Sequence, residues 1–226
     1  MTFKKRNIVI IPVRGGSKRL PGKNILPLAG EPLLVHSIAY AQQHLDIVDK
    51  IVISTDDAAI KSLALSNNVE VIDRPEGLAG DFATTVSALK HVVENLKEAY
   101  DNVILLQATN PLRPKNLLKE AYMKFEEGNY DSLMTVSRNE DKLGKIVNDT
   151  FVPFNYKIGQ RSQDLDPLYS ENGLLYITKI SLILEGEILG NKNFPYVVNH
   201  PYAKVDIDTK EDFKYAAFIL ENYTDE

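Results

Sequence analysis

Nowhere among the 226 residues is there a cysteine, which excludes disulfides, thiolate metal sites and a cysteine nucleophile. Histidine is sparse: four residues, no two in a shared motif, so each is read as structural or surface rather than catalytic. Excess positive charge is also missing. With a formal net charge of −5, the chain lacks the extended basic face that a long nucleic acid requires. No apolar run approaches the ~20 residues that span a bilayer. The basic stretch Met1-Thr2-Phe3-Lys4-Lys5-Arg6 leads into only six apolar residues, too few for the apolar core of a secretion signal, so a cytoplasmic location is expected. Two familiar nucleotide signatures are absent as well. Ser17 stands where a Walker A loop places its first glycine and Asn24 follows Lys23, while no G-x-G-x-x-G occurs anywhere.

What is present is a local contradiction of the overall charge. The apolar run Ile8-Val9-Ile10-Ile11-Pro12-Val13 empties into Arg14-Gly15-Gly16-Ser17-Lys18-Arg19-Leu20-Pro21-Gly22-Lys23, which holds four cations and three glycines. Glycine lets backbone amides approach an anion closely, and the cations neutralise it. Such a loop at a strand end, on an acidic chain, indicates a small polyanionic ligand such as a nucleotide phosphate. The competing reading is a surface turn with solvated cations.

Further along, short apolar runs alternate with helical periodicity. Strands are expected at 8–13, 50–54, 69–72, 102–106, 132–137, 174–178 and 202–207, and helices at 32–44, 57–66, 83–96, 114–127, 180–184 and 210–223. Thr55-Asp56-Asp57 resembles a helix N-cap. This rhythm predicts an α/β fold, a mostly parallel open sheet covered by helices on both faces. It lapses across 138–173, a polar excursion of two strands or a long loop within a single 1–226 domain. In open α/β sheets ligands bind beyond the carboxyl ends of the strands. Arg14, Asp56, Asp73, Arg74, Gln107, Asp206 and Asp208 all fall there.

Asp206 and Asp208 flank Ile207 at a strand end, where alternation sends both to one side. Two convergent carboxylates suit Mg²⁺, which prefers oxygen ligands shared with substrate phosphates; the alternative for Asp208 is to cap the last helix. Arg74, stiffened by Pro75, has the chemistry to read a base edge or a phosphate, and is otherwise a surface arginine. Gln107 ends an apolar strand and needs partners for its amide. Tyr156, Arg161, Gln163 and Tyr169 lie in the excursion, placed for a second substrate or a second subunit.

Taken together, these segments resemble the acylneuraminate cytidylyltransferases, which activate nine-carbon α-keto (nonulosonic) acids with CTP. The opening Ile10-to-Asn24 stretch, Ser54-Thr55-Asp56, Leu106-to-Arg113, Glu171-Asn172-Gly173 with Tyr176-Ile177, and Val205-to-Asp208 follow the family pattern in order along nearly the whole chain. The resemblance implies a Rossmann-like nucleotidyltransferase making a CMP-sugar and pyrophosphate, with N-acetylneuraminate or a close relative as acceptor. It implies that Arg14, Gly15, Gly16, Ser17 and Lys23 hold the CTP phosphates, Arg14 and Lys23 acting in catalysis. Asn24, Arg74, Asp81 and Thr85 complete the nucleotide site, Gln107, Arg161 and Tyr169 meet the sugar with Arg161 also catalytic, and Asp206 and Asp208 hold Mg²⁺. Residues 138–173 become the arm of a homodimer reaching over the partner's site. Ser162 and Ser170 stand where many members carry arginine, Ala83 replaces a hydroxyl residue, and Arg161-Ser162-Gln163-Asp164-Leu165 is instead similar to enzymes for pseudaminic acid. Pseudaminic, legionaminic or Kdo cytidylyltransferases, sugar-1-phosphate nucleotidylyltransferases and a catalytically silent nucleotide sensor remain the alternatives.

Overall fold

A computed structural model describes residues 5–223, so residues 1–4 of the basic N-terminal stretch lie outside the described part. The first strand, β1 (Asn7–Pro12), is buried on both sides, as its unbroken β-branched run requires. It pairs in parallel with β4 (Lys50–Thr55) and with β6 (Asn102–Leu105), and β4 pairs in parallel with β5 (Glu70–Asp73). Two-residue strands β2 (Pro27–Leu28) and β3 (Glu31–Pro32) form a small separate hairpin. The main sheet is completed by β7 (Ser132–Asn139), β10 (Leu168–Lys179) and β11 (Asn193–Val197), giving the order β11-β7-β10-β6-β1-β4-β5. Only β10 runs against its neighbours, antiparallel to both β6 and β7. The expected mostly parallel sheet is therefore present.

Alternation along the strands divides the core. Val9, Ile11, Ile53 and Ile104 face α1 (Leu33–Gln42), α2 (Ala58–Ser66) and α4 (Leu117–Glu127). Ile8, Ile10, Val52 and Leu105 face α3 (Thr85–Glu94) and α5 (Ile180–Glu185). A third cluster lies under α6 (Lys210–Asn222), where Ala216 and Ile219 pack on Leu28, Val205 and Ile207.

Two expectations need correction. Residues 202–207 are not a sheet strand: Pro201–Lys204 is a 3-10 turn, and the extended piece after it only edges the loop following β6, with the Ile207 amide donating to the Thr109 carbonyl at 2.8 Å. The last strand of the sheet is instead β11, at the edge beside β7, whose half-exposed residues and internal Pro195 hide its strand character. The capping role considered for Asp208 falls to Thr209, which exchanges hydrogen bonds with Asp212 in a full capping box. At α2 the N-cap is Asp57, accepting from the amides of Ala59 and Ile60.

The excursion carries its own hairpin, β8 (Gly144–Val147) and β9 (Thr150–Pro153). Asn148 and Asp149, at φ 49° and 58°, form its two-residue turn.

Candidate active site

Beyond the carboxyl ends of β1, β4 and β6 lies a cavity of about 340 Å³. It draws Arg14 from the loop after β1, Lys23 and Asn24 from the end of that loop, and Arg74 from the segment after β5. Asp81 and Thr85 come from the approach to α3, Gln107 from beyond β6, and Asp206 and Asp208 from the extended piece before α6. Ser17 joins Lys18 and Arg19 around an adjoining space of about 260 Å³ that shares Arg14, Lys23, Asn24 and Asp208. The partial positive charge of the α3 N-terminus also faces this region, since Thr84, its N-cap, lines the cavity.

Gly15 is fixed by a close approach. Its amide donates to Asp56 Oδ1 at 3.0 Å, and a Cβ there would sit 2.6 Å from Asp57 Oδ2. The glycine thus pins the start of the basic loop to the turn after β4. Gly16 faces open space. Neither glycine lines the main cavity.

The loop cations are already paired with acids. Arg14 donates through Nη1 to the Gly80 carbonyl at 3.1 Å and to Asp81 Oδ1 at 3.3 Å, while Lys18 holds the other Asp81 oxygen. These contacts, led by the hydrogen bond from Lys18, pull the Asp81 carboxyl below the ordinary range. Asp208 is likewise shared: Lys23 Nζ donates to Oδ1 at 2.9 Å, and Arg19 reaches Oδ2 at 2.5 Å. Lys23 is nearly buried and also donates to the Ile207 carbonyl at 2.9 Å. Asn24 donates to the Arg14 carbonyl at 3.2 Å, closing the loop on itself.

Arg74 is a buried cation, not a surface one. Its Nε donates to Ser54 Oγ at 3.1 Å and its Nη2 to the Ser54 carbonyl at 2.6 Å. Burial lowers its pKa, partly opposed by Asp56. One edge of the guanidinium is therefore committed to β4 while the residue lines the cavity.

Asp206 carries the opposite perturbation. Loss of hydration raises its carboxyl above the usual range and the nearby Asp208 charge adds to this, while the Thr109 hydroxyl and Lys23 oppose it. Val205 and Ile207 point into the third core, so the intervening Asp206 and the following Asp208 both face the cavity. The expected alternation holds although the segment lies outside the sheet. Among the described residues no group of three or more His, Asp or Glu is gathered to hold a metal ion. Two carboxylates in one cavity, one disfavoured by its neighbour's charge, fit a hard divalent cation whose other ligands are water and phosphate oxygens.

Arg161 and Tyr169 are not brought to this cavity within the chain. Arg161 lies on the excursion with its fork on Asp164, at 2.7 and 3.0 Å; Tyr169 is exposed on the outer part of β10. The Glu171-Asn172-Gly173 motif forms a bulge where five steps along β10 oppose two along β7. Tyr176 just beyond it donates to Glu171 Oε2 at 2.9 Å, and burial drives its phenol to a higher pKa.

Sequence reasoning missed the frame behind these groups. Arg113 is buried and spends its guanidinium on the carbonyls of Leu174 and Gln107 and on Ser37 Oγ, at 2.7, 2.7 and 3.0 Å. Desolvation brings its pKa down to about 10. Three arginine contacts to carbonyls and a hydroxyl leave no signature in spacing. The pairing of Lys18 and Arg19 with acids was equally invisible, because Asp81 and Asp208 are remote in sequence.

Comparison with known proteins adds to this geometry. A family model described as Cytidylyltransferase matches residues 8–225. The pseudaminic acid cytidylyltransferase of Campylobacter jejuni is 34% identical over 223 residues, covering 95% of this chain and 96% of that protein. The N-acylneuraminate cytidylyltransferase of Streptococcus agalactiae is 33% identical over 216 residues, 91% of this chain and 51% of that longer protein. Among solved structures, a CMP:2-keto-3-deoxy-manno-octonic acid synthetase complexed with CTP superposes with a TM-score of 0.72, covering 96% of this chain and 98% of that one at 16% identity, a likeness of fold.

Proposed function

This chain belongs to the nonulosonate cytidylyltransferase family, a family of nucleotidyltransferases, and from that premise we propose that it transfers CMP from CTP to the anomeric hydroxyl of a nonulosonic acid of the pseudaminic kind. One observation carries the reading. The basic glycine loop and the Asp206–Asp208 pair, with Lys23 and Asp208 185 residues apart, line one cavity beyond the carboxyl edge of a sheet whose family match runs from residue 8 to 225.

In this reading the sugar hydroxyl attacks the α-phosphorus of CTP and gives up its proton to solvent, the bond from the α-phosphorus to the bridging oxygen breaks, and pyrophosphate leaves with that oxygen. Positioning and charge neutralisation supply most of the rate, because phosphoryl-type transfer asks little covalent chemistry of the protein. Arg14 and Lys23, with Gly15, Gly16 and Ser17 shaping the loop, meet the triphosphate and offset charge growing on the leaving group. Asn24, Arg74, Asp81 and Thr85 hold ribose and base. Gln107, which lines the same cavity, presents its amide to the sugar. Asp206 and Asp208 hold Mg²⁺, which when bound polarises the α-phosphate and lowers the pKa of the attacking hydroxyl.

The choice of sugar rests on Arg161-Ser162-Gln163-Asp164-Leu165 and on the serines at 162 and 170, with the identity to the Campylobacter jejuni protein in support. N-acetylneuraminate is the second reading, favoured by the Streptococcus agalactiae relative at nearly equal identity. The 138–173 arm pairs two copies, bringing Arg161 and Tyr169 over the partner's cavity. The enzyme works in the cytoplasm; among the described residues no helix is long and apolar enough to cross a membrane.

The test is pyrophosphate release from CTP and Mg²⁺ with pseudaminic, legionaminic, N-acetylneuraminic and Kdo acids in parallel. Turnover fastest with pseudaminic acid is expected. Preference for N-acetylneuraminate moves the assignment to the second reading. Turnover with Kdo alone, or with none of the four, overturns the proposal.

A further inference from the structure

We infer that Asn110 is a positioning residue for the reaction: it clamps the segment bearing Asp206 and Asp208 to the root of the 138–173 arm, and so sets where those carboxylates stand. The inference rests on the reading of Asp206 and Asp208 as cation ligands. Asn110 is 1% exposed, in the turn after β6. Its amide nitrogen donates to the Val205 carbonyl at 2.9 Å and to the Asn172 carbonyl at 3.0 Å. Both partners are backbone acceptors, so both protons of the amide are used and only an NH₂ group serves them.

The two carbonyls belong to different structures. Val205 immediately precedes the first carboxylate. Asn172 belongs to the β10 bulge where the arm returns to the sheet, and its own amide donates to Ser137 Oγ on β7, the strand where the arm departs, at 3.0 Å. The neighbouring Thr109 carbonyl receives the Ile207 amide at 2.8 Å, and the Thr109 hydroxyl donates to Asn110 Oδ1 at 3.3 Å. Residues 109 and 110 thus hold the carboxylate segment on both sides of Asp206. That segment needs such ties because it has no place in the sheet.

Gly173 shows that the fit is tight. It adopts φ +72°, and a Cβ there would sit 2.6 Å from Asn110 Oδ1. Any larger residue pushes directly on the clamp.

Asn110→Ala separates positioning from plain stability. Three quantities are read: hydrogen exchange at the Ile207 amide, Mn²⁺ affinity in the presence of CTP, and CTP affinity without metal. Loss of a buried hydrogen bond predicts about tenfold faster Ile207 exchange and about tenfold weaker Mn²⁺ binding. CTP affinity without metal is expected to change less than about twofold, because the nucleotide loop lies elsewhere. A lower melting temperature with exchange and Mn²⁺ affinity unchanged would reduce Asn110 to a structural residue and overturn the inference. If the alanine variant does not fold, Asn110→Ser, which keeps one donor, and Gly173→Ala, which presses the clamp from the other side, are expected to give smaller shifts in the same two quantities; no shift in either variant overturns the inference. Asp206→Asn serves as the control for the underlying reading. If it leaves Mn²⁺ affinity intact, the cation assignment falls and Ile207 exchange alone decides the clamp; if it abolishes Mn²⁺ binding while the Asn110 variants retain it, only the positioning role falls.

Discussion

Asp206 and Asp208 stand two residues apart in opposite electrostatic circumstances. Asp206 is partly stripped of water and repelled by its neighbour, which disfavours its charge in the folded state. Asp208 is the counter-ion of the nearly buried Lys23 and of Arg19. Their amides should therefore agree in activity and differ in stability. Asp206→Asn and Asp208→Asn are each expected to cost a hundredfold or more in turnover, roughly the loss seen when one preorganised electrostatic contact is removed. Asp206→Asn removes an unfavourable charge, so its melting temperature should hold or rise. Asp208→Asn leaves Lys23 without its carboxylate, a cost of about 1–3 kcal/mol, or a fall of roughly 2–10 °C in a chain of this size. Thermal melts beside pyrophosphate assays decide it, and equal melting temperatures would contradict the argument. The same pairing gives the loop a second property. Arg14 and Lys18 share Asp81 as Lys23 and Arg19 share Asp208, so under the proposed function a triphosphate would take these cations by exchange of anionic partners, with little reorganisation of the loop.

At the scale of elements, α6 positions the site without entering it. Its buried face covers Val205 and Ile207, and its capping box begins one residue after Asp208. Asp212 Oδ2 accepts from the amides of Asp208 and Thr209, and from the Thr209 hydroxyl at 2.8 Å. Thr209→Ala should lower stability by about 1 kcal/mol through loss of the cap, with kcat nearly unchanged because the packing under α6 persists. A melt combined with steady-state kinetics checks this, and a large fall in kcat at full stability would move Thr209 into the site. These elements also mark how far the sequence was legible. β1 was plain because both of its faces are buried, so six apolar residues run without interruption. The start of α2 was plain because a cap is a local event. Residues 202–207 misled, because Val205 and Ile207 alternate with polar residues as in a strand, yet face a helix-covered pocket beyond the sheet. β11 was missed because its residues are half exposed and carry a proline. In the site, Arg14, Arg74, Gln107, Asp206 and Asp208 were legible as polar groups at strand ends and Lys23 as a cation of the glycine loop, while Asn24 was named only through the family resemblance. Asn110 and Arg113 were not, since their partners are backbone carbonyls that any sequence supplies.

Over the whole molecule, the arm exposes large apolar side chains and keeps two of the expected site residues away from the cavity. Ile146 is 79% exposed, Phe154 65% and Ile158 78%, and Phe151 and Val152 beside them are also solvent-facing. Ile146 and Phe151 are paired across the β8–β9 hairpin, and large exposed apolar side chains of this kind are what interaction sites carry; Arg161 and Tyr169 lie on the same excursion, away from the cavity of their own chain. The proposed dimer, with one copy's arm laid over the other's cavity, would account for both. The arrangement makes a quantitative prediction. Arg161→Ala disables an arm and Asp206→Asn disables a cavity, so either variant alone is inactive. In a mixed dimer one site combines the intact cavity of the first variant with the intact arm of the second, while the other site carries both defects. Equal amounts, unfolded and refolded together, should pair at random and recover about a quarter of wild-type turnover. Arg161 acting within its own chain would leave the mixture as inactive as its parts. Replacing Phe154 with aspartate in both variants should abolish the recovery and yield monomers by sedimentation, since the charge falls where the two copies meet; recovery that survived this change would place the contact elsewhere on the molecule.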